Sequence, residues 1–150
     1  MILQEVISSP LISVETTGSP AIRLGDFIFM TALDASMLSG YDPSSSAKEQ
    51  TERCLHLMDL LLKETNNRPD SVIRLDVCLT RKTDIPEVRE VLLGHFGDVK
   101  PLISITGAAF LEHDAKVSVS VQAVDTYGVM QQTVMQMQDI GGCEGCPKKN

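Results

Sequence analysis

Tryptophan is absent, and aromatic residues make up only 4% of the 150-residue chain. A core of ordinary density must therefore be built from Val, Ile, Leu and the seven methionines. Basic residues are also in short supply: 13 Lys and Arg stand against 20 Asp and Glu, for a net charge of −7. Proteins that bind nucleic acid draw affinity from neutralising phosphates, so this balance argues against that class, a local basic patch aside. Clusters of basic and aromatic residues suited to single strands are missing too. No apolar run is long enough to cross a bilayer. Met1-Ile-Leu-Gln-Glu5 has no basic segment followed by an apolar one, so no secretory signal is expected. Cys54 and Cys78 fall inside regular elements, and internal thiols without a signal point to a reducing, cytoplasmic setting. No two of the three histidines share a metal-ligand spacing, so neither a metal nor a metal-dependent mechanism is expected.

What is present is the composition of one globular domain, 43% hydrophobic and 22% charged. Residues 1–18 read as an N-terminal extension or edge strand. Ala21–Leu24, Gly25-Asp26 and Phe27–Thr31 read as two strands around a tight turn. A Ser/Gly/Asp/Pro loop follows from Ser39 to Ser46. Ser46-Ala-Lys-Glu49 is a capping box, in which the serine hydroxyl takes the third helical N–H and the glutamate reaches back. The helix it opens carries Ala47, Thr51, Cys54, Leu55, Met58, Leu61 and Leu62 on one face, and Asn66-Asn-Arg-Pro69 ends it. Val72–Thr80 alternates, with Ile73, Leu75, Val77 and Leu79 turned one way and Arg74, Asp76, Cys78 and Thr80 the other. Asp84-Ile-Pro-Glu87 reads as a second capping box, opening a helix with Val88, Val91, Leu92 and Phe96 inward. Lys100–Thr106 is a short strand entered through Pro101 and left through Gly107. A last strand, Lys116–Thr126, alternates valines with Ser118, Ser120 and Gln122. The order β-β-α-β-α-β-β predicts an α+β sheet with two helices on one face. Met130–Met137 fits helix and strand equally badly, and residues 127–150 read as a tail. Its Cys143-Glu-Gly-Cys146 could be a redox pair or half a zinc site, but lacks a second ligand pair.

Four stretches in register resemble the Rid/YjgF family, the reactive-intermediate deaminases also called L-PSP endoribonucleases. They are Ser19-Pro-Ala-Ile-Arg-Leu-Gly-Asp-Phe-Ile-Phe29, the helix after Glu49-Gln50, Asp76-Val-Cys-Leu-Thr80, and Asp84–Val91 running to Phe96. The resemblance spans residues 19–126. It implies a chorismate-mutase-like domain assembled as a homotrimer, with small-metabolite clefts between subunits and no cofactor.

The resemblance also exposes departures. Family members that hydrolyse enamines and imines hold the substrate carboxylate with an arginine two residues after the proline, where this chain has Ile103. A bidentate guanidinium pair of that kind is not imitated by a neutral side chain. A glutamate on the last strand is replaced by Ser120, a tyrosine before the first hairpin by Gly18, and an asparagine on the second helix by Arg89. Losing a charged substrate anchor costs about 2–5 kcal/mol, so the usual deaminase activity is expected to be lost or altered. The candidate ligand-binding residues are Arg89, Ile103, Ser104, Ile105, Ser120 and Thr31. Arg89 is either a relocated anion anchor or a solvated arginine pairing with Glu90 or Asp84. Ser104 and Ser120 are hydrogen-bond donors to a ligand or polar fillers at an interface, and neither has an evident base to activate it. Two readings follow: a trimer that binds a metabolite, and a pathway-specific hydrolase or deaminase with Arg89 as its anchor. Endoribonuclease, the reading carried by the family's other name, ranks last on charge.

Overall fold

A computed structural model describes residues 4–13 and 18–141, so the Cys143/Cys146 pair lies outside the described residues. Six strands form one sheet in the order β1-β2-β3-β6-β4-β5. They are β1 (Gln4–Ile7), β2 (Ala21–Leu24), β3 (Phe27–Asp34), β4 (Val72–Leu79), β5 (Leu102–Gly107) and β6 (Val117–Val124). All pairs are antiparallel except β4 with β5, which are joined through a helix and run parallel. The helices are α1 (Ala47–Glu64), α2 (Ile85–Phe96) and α3 (Thr126–Gly141).

Local chemistry sets several of these boundaries. Gly25 has φ +60°, a value that suits glycine in the β2–β3 turn. The Ser46 capping box forms as expected: Glu49 N donates to Ser46 Oγ at 3.1 Å, and Ser46 N donates to the Glu49 carboxylate at 3.4 Å. The second box does not form. Arg81 holds the Asp84 carboxylate with two hydrogen bonds of 3.0 and 2.9 Å, and Asp84 makes no side-chain cap to α2.

The core lies between one face of the sheet and the two helices. Every α1 residue expected inward is buried, and Leu57 joins them at 0% exposure. From the sheet come Ile28, Leu33, Leu75, Val77, Leu79, Val117, Val119 and Val121. On α2, Val88, Leu92 and Phe96 are buried, while Val91 packs at the margin. At the start of β4 the alternation slips. A register shift between Val72 and Arg74 buries Val72 and leaves Ile73 38% exposed, so Ile73 is not part of the inward row.

Residues 127–141, expected as a tail, are helical. Asp125, 3% exposed, supplies the start of α3 by accepting from Gly128 N at 2.8 Å. A Cβ on Gly128 would come within 2.5 Å of that carboxylate, which explains the glycine. Beyond this anchor the helix leaves Tyr127, Met130, Val134, Met135 and Met137 exposed.

Candidate functional site

Strand pairing arranges the opposite face of the sheet, away from the α1 core, in rows. Val6, Ile22, Phe29, Gln122, Arg74 and Leu102 are successive partners across all six strands. The row contains Val6 at 57% exposure and Leu102 at 64%, with Phe27 nearby at 50%. The next row is polar: Ser104 on β5 pairs with Asp76 on β4, which pairs with Ser120 on β6. Opposite Ser120, β3 is irregular between Met30 and Leu33, and Thr31 falls in that irregularity. Three candidates, Ser104, Ser120 and Thr31, therefore belong to one row. Asp76, not singled out from the sequence, is the carboxylate between the two serines. Its partner is Arg74, whose Nε lies 3.2 Å from Oδ1. Thr31 also lines a shallow cavity of about 400 Å³ with Gly18, Ser19 and Phe29.

Ile103 and Ile105 belong to the other side of β5. In register they sit beside Leu75 and Val77, which face the helices, and adjacent partners in a sheet point the same way. Ile105 packs at the margin of the core, whereas Ile103, on the free edge, remains 41% exposed. A pocket formed by one strand face cannot include both serines and both isoleucines. β5 instead contributes to two surfaces, with Ile103 at the edge where they meet.

Ile105 lines a partly enclosed cavity of about 310 Å³ at the carboxyl ends of β4 and β5, together with Thr80, Lys82, Ile85 and Thr106. Lys82 was not among the sequence candidates, since nothing in a short Arg-Lys-Thr turn distinguishes it from any solvated lysine. Arg89 is exposed on α2, does not line this cavity, and pairs with neither Glu90 nor Asp84.

Two of the histidines have acidic partners. His95 Nε2 lies 3.1 Å from Asp59 Oδ2, bridging α2 to α1, and His113 Nδ1 lies 3.3 Å from buried Asp34. Burial pushes the Cys54 thiol far above its ordinary value, which makes it an inert core residue. Among the described residues, no group of three or more His, Cys, Asp or Glu could hold a metal ion, and no helix is long and apolar enough to cross a membrane.

The arrangement defines a class first: a mixed α+β, chorismate-mutase-like domain with two helices on one sheet face and the other face open. A family model described as Endoribonuclease L-PSP matches residues 12–125, and the chain belongs to that family, the Rid/YjgF proteins. A RutC family protein, y4sK of Sinorhizobium fredii, is 26% identical over 102 residues, covering 67% of this chain and 81% of its own. The crystal structure of yeast Mmf1 superposes with a TM-score of 0.76 at 22% identity, covering 81% of this chain and 98% of that one. Escherichia coli TdcF, solved with bound serine, gives 0.75 at 17% identity, with 80% and 98% covered. At these identities the solved structures establish the fold.

Proposed function

We propose that this protein is a homotrimer that binds a small metabolite in clefts between subunits, and that the arginine-anchored hydrolysis of imines has been lost from it. The observation that carries this reading is Ile103. The resemblance puts the family's carboxylate-holding arginine there, and β5 has no charged side chain from Leu102 to Gly107. An aliphatic side chain offers a carboxylate no bidentate partner, so orientation of the substrate is lost along with affinity. The exposed Val6, Phe27 and Leu102 on the uncovered sheet face support assembly, because a second subunit packed there would remove their apolar area from water. The bound serine in TdcF supports a ligand of amino-acid size.

One observation favours a second reading, a hydrolase with altered machinery. Asp76 is a carboxylate directly beside Ser120, where the family has glutamate, and could position water one strand away from the usual place. Arg89 would then serve as the anchor. Either reading suits the reducing, cytoplasmic setting expected from the internal thiols Cys54 and Cys78.

The first reading is tested by titrating the full chain with 2-oxobutanoate and with serine while following the methyl signals of Ile103 and Ile105. Saturable shifts are expected with at least one of the two. No saturable shift up to tens of millimolar would overturn the reading. Sedimentation at the same concentrations should show a trimer, and a monomer would remove the inter-subunit cleft.

A further inference from the structure

α3 lies beyond the family domain: the matched segment ends at Asp125, whose carboxylate caps the helix. Gly128 and Val129 are half-buried, and every residue from Met130 to Asp139 is exposed. A helix standing in solvent must be stabilised by its own sequence or by a partner. Its own sequence is poor. The sixteen residues include Gly128 and the β-branched Thr126, Val129, Thr133 and Val134, and their single charge, Asp139, forms no ion pair along the helix. Isolated helices shorter than ~12–15 residues are marginal in water even when rich in alanine, and α3 is barely longer.

The exposed apolar residues show what kind of partner fits. Tyr127, Met130, Val134 and Met137 recur at spacings of three, four and three, the core positions of a heptad. Met135 lies off that line. The line is narrower than the ~100° face with which a globular helix packs on a core, and has the width of a coiled-coil seam. Charges flanking such a seam set the choice of partner. Here the flanks are Gln131, Thr133 and Gln138, all neutral, and Asp139 falls on the far side of the helix. A foreign helix finds no charge to select it, whereas a second copy of α3 meets no repulsion, although the chain as a whole carries −7. Four core residues make a seam too short to hold free chains together, so the copies must already be neighbours. A trimer supplies that condition. Threefold symmetry points the three helices the same way along its axis, and attachment to one body gives them a high effective concentration.

We propose that the α3 helices of the three subunits pair with one another along Tyr127, Met130, Val134 and Met137, a parallel bundle that clamps the trimer from outside the family domain. The proposal rests on the trimer of the reading above, and not on its ligand.

Cys143 follows the end of α3 by two residues and reports on the pairing. In the full chain carrying Cys146→Ser, a short bismaleimide should link Cys143 of one copy to Cys143 of another, and Cys143→Ser should remove that product. Adding Met130→Glu and Val134→Glu should cut the linked product about fivefold or more, since the seam would then bury charges. The same pair should lower the helical circular dichroism by the contribution of α3. Gln132→Glu with Gln136→Glu, which places equal charge on the far side of the helix, should leave both readouts unchanged. Undiminished linkage in the Met130/Val134 variant, or equal loss in the Gln132/Gln136 variant, would overturn the proposal. Binding of α3 to lipid vesicles or to another protein, with no linkage between copies, would assign the seam to a different occupant and overturn it too. In each of those cases a trimer in sedimentation leaves the trimer reading standing. A monomer in sedimentation would remove both.

Discussion

Asp125→Ala should lower the stability of the folded chain by about 3 kcal/mol, seen as an earlier midpoint in urea at pH 7 with an unchanged slope. The carboxylate is 3% exposed and answers three donors: Arg23 Nη1 at 2.7 Å, Asn67 Nδ2 at 2.9 Å and Gly128 N at 2.8 Å. Removing it discards a charge-assisted pair and the cap of α3, and leaves Asn67 short of one acceptor. Arg23 keeps Glu5 as a partner, which limits the loss. Burial pushes the Asp125 carboxyl up, but the hydrogen bonds from Asn67, Gly128 and Arg23 outweigh burial and hold it below the usual range. The sign of the pH effect follows. The stabilisation is full above the unfolded value of about 3.9 and disappears as pH falls through the lower folded value. The gap between wild type and Asp125→Ala should therefore be constant from pH 5 to 7 and shrink in strong acid. A gap that grew on acidification would contradict the assignment.

Gln50→Leu should cost a similar amount, roughly 2–4 kcal/mol, although it replaces a fully buried polar side chain with an apolar one of similar size. Gln50 Nε2 donates to the carbonyls of Pro43 and Ser45, and Oε1 accepts from Lys116 N at 2.8 Å. One side chain thus ties the loop before α1 to the entry of β6. Leucine fills the volume but leaves the part-buried Lys116 N–H without its acceptor, and an orphaned donor away from bulk water is the expensive half of a broken pair. For a chain of this size the loss corresponds to a drop in Tm of about 5–15 °C. A drop under 2 °C would mean that water or a shifted loop replaces the network.

These two residues also mark where the sequence was readable and where it was not. The Ser46–Glu49 box and the inward face of α1 were legible because both depend on residues a few positions apart. Gln50 was not, since its partners lie in an irregular loop and at a residue 66 positions away. Asp84 was misread as a cap because Arg81, three residues before it, takes the same carboxylate first. The slip at Ile73 comes from a register irregularity that only the pairing with β6 creates. α3 was undecided because its Gln/Met sequence has no pronounced apolar face, and the helix is exposed along most of its length. At the candidate site, family register drew attention to Ile103, Ser104 and Ser120. It could not say that Ile103 and Ser104 face opposite ways in relation to α2, nor that Asp76 completes a row with the serines. Lys82 needed the cavity itself.

The most direct test of the central claim is keto-acid release from freshly generated 2-iminobutanoate, measured for wild type, Ile103→Arg, Asp76→Asn and Arg89→Ala side by side. Wild type and both loss variants should release keto acid at the uncatalysed rate, and Ile103→Arg should be the only one of the four able to exceed it. Release by wild type well above that rate, abolished by Asp76→Asn or Arg89→Ala, would contradict the account and establish a hydrolase with a relocated anchor.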